Sequence, residues 1–132
     1  QADVIITITS AHEPLLMNDW IKPGTHIACM GTDTVGKQEI DPQIFGNANV
    51  FTDEIAQSTS LGEAQHAFTQ GIVKESDITA IGAVINGTNP GRTSDQEVTV
   101  FDGTGVGLQD LAAASASLRA AIKQGKAISV DL

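Results

Sequence analysis

The chain has 132 residues, enough for one domain with a core that buries about two-thirds of the surface of the unfolded chain. Hydrophobic residues make up 41% of it and aromatic residues only 4%, so we expect a core of Ile, Val, Leu and Ala in layered α/β packing. The net charge of −9, with only seven Lys and Arg, excludes a basic surface that follows a phosphate backbone, and we expect no nucleic-acid partner.

The first half of the chain alternates apolar segments with polar turns. The β-branched run that opens it predicts a strand buried on both faces, and Pro14 blocks a helix after that strand. Asp41 followed by Pro42 is typical of a helix start. Strands are predicted at residues 4–8, 25–30 and 49–52, with turns at 10–14 and 18–21, a polar loop at 31–37 and a helix at 41–45.

The second half has helical periodicity interrupted by one strand. Ser76 is a predicted helix cap, followed by apolar residues at helical spacing, and glycine and proline end that helix. The last helix has one apolar face. Helices are predicted at residues 61–68, from 76 through Ile78, Ile81, Val84 and Ile85, and at about 106–123 with Leu108, Leu111, Ala112, Leu118 and Ile122 on one face; a fourth strand is predicted at 97–101.

The alternation of strands and helices predicts an α/β fold, doubly wound around a mainly parallel sheet with flanking helices. Ligands of such sheets bind at the carboxyl ends of the strands. Three segments that directly follow predicted strands are therefore candidate parts of a site: residues 7–13, 31–37 and 102–107.

The glycine-rich turn Gly103-Thr-Gly-Val-Gly107 lies between a strand and a helix, as in a dinucleotide-binding fingerprint. The third glycine of that fingerprint belongs one place later, where Leu108 stands. The acid that would bind a ribose, Asp131, also comes later than the usual spacing of roughly 20 residues. The turn by itself is therefore weak support for pyrophosphate binding.

Cys29 is the single cysteine and lies in an apolar segment, which predicts a small core residue in a reducing compartment. Trp20 is interpreted as a core anchor. His12, His26 and His66 are scattered, and we predict no metal site. Without a membrane-length apolar run or a leader pattern, we expect a cytoplasmic protein with no membrane partner.

Several linked motifs, in order along essentially the whole chain, resemble the ornithine cyclodeaminase/mu-crystallin family. They are Ala2-Asp-Val-Ile-Ile-Thr-Ile-Thr9 with Glu13-Pro14, residues 15–26, Gly31-x-Asp-x-x-Gly-Lys-x-Glu39 before Asp41-Pro42, Gly91-Arg92, and the run from Glu97 to Ala113.

The resemblance implies that residues 1–132 are a single partial Rossmann-like domain, the second half of an NAD(P)-binding domain with a closing helix. Members of the family are more than twice this length, with a substrate-binding and dimerisation portion and the true glycine fingerprint before the segment seen here. The turn at Gly103 then corresponds to a late loop near the nicotinamide rather than to the pyrophosphate cradle.

The resemblance also implies site residues. Asp33 occupies the position of an acid that assists proton transfer, with a pKa that a dry pocket would raise; the alternative is an Asp that caps its own loop. Lys37 would neutralise substrate carboxylate or cofactor phosphate, or is simply solvated. The implied cofactor contacts, for which ordinary strand-end hydrogen bonding is the alternative, are Thr7, Thr9, Ser10, Gly31, Thr32, Gly103, Thr104 and Gly105.

Three positions qualify the resemblance. Val35 stands where members often have Pro, and Gly103 where they commonly have Ser. His66 lies in a segment, residues 62–67, that is similar to the branch associated with ectoine utilisation and imine reduction, although a helix-packing role for this histidine is favoured.

The function implied is an NAD- or NADP-dependent interconversion of an α-amino acid with its imine or keto form. Ornithine cyclodeamination, imino-acid reduction as in amino-acid dehydrogenases, and ketimine-type reduction stay open as family variants. The alternative is a non-catalytic, truncated cofactor-binding or oligomerisation domain. We expect the 132-residue chain alone to be inactive, to bind cofactor weakly, and to form a homodimer or swapped oligomer through an exposed sheet edge.

Overall fold

The computed structural model describes residues 2–130, and Asp131 lies outside them. Its centre is a five-stranded sheet in which every neighbouring pair is parallel. This confirms the predicted α/β class with a mainly parallel sheet and flanking helices. In spatial order the strands are β1 (Val4–Thr7), β3 (His26–Cys29), β7 (Thr99–Asp102), β5 (Asn49–Thr52) and β6 (Ile78–Ala80).

Short helices and a second small sheet complete the described chain. The second sheet pairs β2 (His12–Leu16) with β4 (Gln38–Ile40) in parallel. No helix within residues 2–130 is both long and apolar enough to cross a membrane. The helices are α1 (Gln43–Gly46), α2 (Ile55–Ser60), α3 (Gln65–Thr69), α4 (Ile81–Ile85) and α5 (Gly107–Lys123), with single 3-10 turns at Asn18–Trp20 and Glu75–Asp77.

The core lies on one face of the large sheet. Side chains alternate between the two faces of a strand, so the buried residues of neighbouring strands form one layer. Helices α1 and α3 and the residue before α3 cover this layer with aliphatic and small side chains and one phenylalanine. The core contains Ile27, Cys29, Val50 and Val100 from the sheet, and Ile44, Phe45, Ala64 and Ala67 from the covering segments.

The first strand is less buried than its sequence predicts. Val4 and Ile6 are 57% and 67% exposed: β1 forms an edge of the sheet, and no element within residues 2–130 covers the face from which these two side chains project. The prediction of burial on both faces was wrong. A β-branched run predicts a strand, but it does not show whether that strand lies at the edge or in the centre of the sheet.

Two strands were not predicted, and the first of them overlaps the predicted turn at residues 10–14. Residues 12–16 contain Pro14, and residues 38–40 follow the polar loop. They form β2 and β4, a two-stranded sheet in which both strands are edges. Proline is tolerated at an edge because an outward N–H has no partner to lose.

The helix predicted from Ser76 was partly wrong. Ile78 begins β6, where it pairs with Val50 and is 4% exposed, and the helix α4 starts only at Ile81. Helical spacing of apolar residues does not exclude a short strand when a neighbouring edge is available. The helix α2 was not predicted, whereas α1, α3 and α5 overlap the predicted helices.

Two large apolar features are exposed. Trp20 is 67% exposed, so the interpretation as a core anchor was wrong. The apolar face of α5 is also uncovered: no residue of this helix is buried, and Leu108 and Leu111 are 70% and 63% exposed. Amphipathic spacing predicted the helix, but no element within residues 2–130 packs over its apolar face.

Candidate functional site

The candidate site lies at the rim formed by the carboxyl ends of β3, β5 and β7. Because these strands are parallel, the loops that follow them open on the same edge of the sheet. They enclose a pocket of about 380 Å³. It contains the predicted catalytic Asp33 together with two of the glycines predicted to face the cofactor. The lining residues are Met30, Asp33, Asp53, Phe101, Gly103, Thr104, Gly105 and Gln109.

Asp33 forms an ion pair with Lys37, four residues later in the same loop. The Lys37 Nζ lies 2.7 Å from Asp33 Oδ1, and Thr34 Oγ1 donates to the same oxygen at 3.0 Å. Among the described residues no group hydrogen-bonds Asp33 Oδ2. The hydrogen bond from Lys37 lowers the pKa of Asp33, whose side chain is 65% exposed. The raised pKa expected for a dry pocket is therefore not found; in this open pocket Asp33 is an ionised carboxylate.

Glu39 joins the loop after β1 to the loop after β3. This residue is fully buried and accepts hydrogen bonds from Thr7 Oγ1 at 2.8 Å, Thr9 N at 2.6 Å, Thr9 Oγ1 at 2.8 Å and Gly31 N at 3.0 Å. A Cβ at Gly31 would lie 2.3 Å from the Thr9 carbonyl oxygen, so only glycine allows this approach. Three of the predicted cofactor-binding residues are thus engaged with Glu39, and Ser10 beside them is exposed.

Glu63 organises the buried side of the same rim. It accepts hydrogen bonds from the backbone N–H of Glu39 at 2.7 Å and of Ile40 at 2.8 Å through Oε1, and from the Thr32 hydroxyl through Oε2. Thr32 is 1% exposed, so its hydroxyl serves this contact. Desolvation raises the pKa of Glu63 against the hydrogen bonds, which lower it.

Asp102, at the end of β7, is another buried acid that accepts both hydroxyl and backbone hydrogen bonds. It accepts from Ser58 Oγ at 2.5 Å and from the backbone N–H of Glu63 and Ala64 at 3.1 Å each. The residue is fully buried, and burial raises its pKa. Asp102 therefore fixes the ends of α2 and α3 relative to the sheet.

Asp53 holds the glycine-rich turn. Its carboxylate accepts hydrogen bonds from Thr104 N at 3.0 Å, Thr104 Oγ1 at 2.7 Å and Gly105 N at 3.0 Å, and from Gln109 Nε2 at 3.3 Å. Gly105 has a φ of +76°, a conformation that favours glycine. The amide protons that would bind a phosphate are already bound to a carboxylate, which would also repel a phosphate. The geometry therefore argues against a pyrophosphate cradle at this turn.

The carboxylates that shape the rim were missed by sequence reasoning. Asp102 is the first residue of the predicted segment 102–107 but was not selected as a site residue, and Asp53 directly follows β5, where the same strand-end rule applies. Glu39 lies in the motif Gly31-x-Asp-x-x-Gly-Lys-x-Glu39, but nothing in the sequence indicates that it is buried. An acid that accepts backbone hydrogen bonds cannot be told from a solvated acid without the fold.

The remaining distinctive side chains have structural contacts. His66 Nε2 lies 3.0 Å from the Lys37 carbonyl oxygen, and His12 Nδ1 lies 3.1 Å from that of Gly36. Cys29 is 1% exposed, and burial raises the pKa of its thiol well above the ordinary value, which disfavours a nucleophile. In residues 2–130 no group of three or more His, Cys, Asp or Glu side chains is arranged to hold a metal ion.

Comparison with known proteins gives a consistent match over nearly all of the chain. The model of the ornithine cyclodeaminase/mu-crystallin family matches residues 1–124. The chain is 55% identical over 132 residues to the iminosuccinate reductase of Paracoccus denitrificans, covering 100% of this chain and 41% of that protein.

Solved structures give the same match. The crystal structure of that reductase in complex with NAD+ superposes with a TM-score of 0.93 at 56% identity, over 99% of this chain and 40% of the other. An archaeal alanine dehydrogenase dimer with bound NAD gives a TM-score of 0.89 at 36% identity, over 98% and 41%. The chain thus spans about two fifths of the length of these relatives.

Proposed function

Because the chain belongs to the ornithine cyclodeaminase/mu-crystallin family, we propose that it is the second half of the NAD(P)-binding domain of a longer enzyme. That enzyme interconverts an α-amino acid with its imine or keto form. One observation carries the proposal: Asp33 and the turn at Gly103 to Gly105, far apart in sequence, line one pocket at the rim of a parallel sheet.

The pocket suits the nicotinamide end of the cofactor. Met30 and Phe101 supply apolar walls, and a Cβ at Gly103 would lie 2.6 Å from Met30 Sδ, so glycine keeps this wall compact. The bound cofactor would supply or accept the hydride. Since Asp53 occupies the amides of Thr104 and Gly105, the diphosphate must be held elsewhere, and we propose that a portion preceding this segment binds it.

Asp33 is the proposed acid/base group, with Lys37 as its electrostatic partner. At neutral pH the ion pair keeps Asp33 ionised, so it is ready to accept a proton from a substrate amine or from a hydrolysing water. Its Oδ2 faces no partner among the described residues and is available for that transfer. In the opposite direction of the reaction, Asp33 Oδ2 would return the proton to the substrate. Bound substrate would favour this step, because it excludes water from the pocket and so raises the pKa of Asp33.

The substitution Asp33→Asn tests this role in the complete protein. We expect kcat to fall by about 10²- to 10⁴-fold, the usual contribution of a general acid or base, with NADH affinity changed little. Asp110→Asn, which removes an exposed carboxylate at the start of α5, is the matched control and should keep full turnover. Full turnover in Asp33→Asn would contradict the assignment.

Among the family variants, we propose imino-acid reduction. The identity of 55% to an iminosuccinate reductase favours a linear imino acid over ornithine cyclodeamination. Rates of NAD+ reduction with aspartate, alanine and ornithine distinguish the variants, and we expect aspartate to be preferred. Release of ammonia with formation of proline from ornithine would instead indicate cyclodeamination.

The second candidate function is a non-catalytic cofactor-binding or oligomerisation domain. It is favoured by the occupied amides of the glycine-rich turn, which leave no phosphate cradle there. Titration of NADH into the 132-residue chain addresses it. We expect this chain to bind NADH only weakly, whereas a dissociation constant in the micromolar range would indicate that it contains the complete cofactor-binding site.

A further inference from the structure

The pocket contains one carboxylate with a cationic partner and one without. Two carboxylates line it, Asp33 and Asp53. Asp33 is neutralised by Lys37 at 2.7 Å. The hydrogen-bond partners of Asp53 are all neutral groups, and within residues 2–130 it forms no ion pair. The pocket therefore has a net negative charge, and that charge belongs to Asp53.

Asp53 stays ionised and fixed in place. Partial burial raises its pKa, but hydrogen bonds from Thr104, Gly105 and Glu54 outweigh burial and leave the pKa below the ordinary value. Both carboxylate oxygens accept a backbone N–H, Oδ1 from Thr104 and Oδ2 from Gly105. A carboxylate whose oxygens are both engaged is a poor proton acceptor for substrate, so Asp53 is suited to a constant electrostatic role.

We propose that Asp53 is a positioning residue that fixes the turn at Thr104 and Gly105 and makes the pocket prefer the oxidised cofactor. The ring of NAD(P)+ is cationic and that of NAD(P)H is neutral, so an uncompensated carboxylate beside the ring stabilises the oxidised form. This inference rests on the proposed function, since it requires the nicotinamide to occupy this pocket.

The test compares dissociation constants for NAD+ and NADH in the complete protein. In Asp53→Asn we expect the ratio Kd(NAD+)/Kd(NADH) to rise roughly fivefold, because the charge is lost near the cationic ring. The amide group also places a donor against a backbone N–H, so both forms are expected to bind more weakly. An equal weakening of both forms, with an unchanged ratio, would overturn the inference.

Three further variants separate charge from packing. Asp53→Glu keeps the charge with altered geometry, and the ratio should stay at the wild-type value even if both affinities fall. Gln109→Lys keeps Asp53 and its clamp on the turn but places a cation where Gln109 Nε2 now lies 3.3 Å from Asp53 Oδ2; the ratio should rise as in Asp53→Asn. Asp110→Asn is the control and should not change the ratio.

The outcomes distinguish the two proposals. If the wild-type protein binds neither NAD+ nor NADH, the proposed function fails. If it binds both and Gln109→Lys leaves the ratio unchanged, only the electrostatic role of Asp53 is overturned. Gln109→Lys makes the inference testable even where Asp53→Asn does not fold, because Gln109 is exposed and its replacement removes no buried contact.

Discussion

At the scale of single residues, the rim is built by carboxylates rather than by cations. Glu39, Glu63 and Asp102 are buried, and Asp53 is partly buried, although acids rarely are. Each accepts at least two backbone N–H groups: Glu39 and Asp53 from loops that follow strands, Glu63 from β4, and Asp102 from the segment between α2 and α3. The loops that carry the proposed site are therefore held in place by hydrogen bonds to acidic side chains, and their geometry depends on those side chains remaining hydrogen-bond acceptors.

The substitution Glu39→Gln should destabilise the chain. The two oxygens of Glu39 separately accept the N–H of Thr9 and of Gly31, so an amide must direct its NH₂ group at one of these donors. We expect a loss of about 1–3 kcal/mol in the free energy of unfolding, the usual cost of an unsatisfied buried donor, measured by urea denaturation.

Glu63→Gln is the matched control for that substitution. Oε1 of Glu63 accepts both backbone N–H groups, and Oε2 faces only the Thr32 hydroxyl, which is able to accept from an amide instead. We expect this variant to be at least as stable as the wild type at neutral pH. A Glu63→Gln loss as large as that of Glu39→Gln would contradict the hydrogen-bond argument.

The pH dependence of Glu63→Gln should differ from that of the wild type. Burial raises the pKa of Glu63 in the folded state above its ordinary value of 4.5, so the folded chain holds this proton more tightly than the unfolded chain does. As pH rises through the folded-state pKa, the proton is lost and the folded state loses that stabilisation. The neutral Gln has no such dependence. The variant should therefore gain stability relative to the wild type as pH rises above about 4.5, which paired urea titrations would measure. A constant difference across pH would contradict the raised pKa.

At the scale of elements, the central strands and the last helix differ in how they are stabilised. Strands β3 and β7 lie inside the sheet and carry two fully buried apolar residues, Ile27 and Val100. Helix α5 has 17 residues and buries none. Its stability depends on its alanine-rich sequence and on the contact of Gln109 with Asp53 near its first turn.

Amide hydrogen exchange should reflect this difference. We expect the amides of β3 and β7 to exchange only through global unfolding, and those of α5 to exchange through local opening at a much lower free energy. Mass-spectrometric exchange on the 132-residue chain measures both. Equal protection of α5 and β3 would show that α5 is covered in solution, for example by a second copy.

At the scale of the whole molecule, apolar side chains are exposed both on the edge strand and along helix α5. Ile6 and Ile8 project from the sheet edge with 67% and 74% exposure, and the apolar face of α5 adds Leu111, Leu118 and Ile122. An unpaired strand edge and uncovered apolar faces favour association. Within a longer protein, the same surfaces would be available to the rest of the polypeptide.

We therefore expect the 132-residue chain alone to self-associate. Sedimentation velocity over a range of concentrations should show a dimer or larger species, and Ile6→Lys should shift it towards monomer by placing a charge on the edge strand. The matched control is Val35→Lys, since Val35 is 73% exposed in the loop after β3 and belongs to no strand. A monomer at all concentrations would contradict the expectation.

The sequence by itself determined the α/β class with a mainly parallel sheet, and two of the three loops that form the rim, those after β3 and β7. Alternating apolar runs, glycine-rich turns and linked motifs are local signals, and they were sufficient for these features. They also placed Asp33 and Gly105 in segments that the structure brings to one pocket.

Only the tertiary structure decided which strand lies at an edge, that residues 78–80 form a strand, and that Trp20 and α5 are exposed. It also decided the state of the acids: Asp33 has a lowered pKa because Lys37 pairs with it, and Glu63 a raised pKa because burial removes water. The burial of Glu63 depends on residues distant in sequence, and the pairing of Asp33 with Lys37 four residues later depends on the conformation of their loop. No sequence pattern specifies either of them.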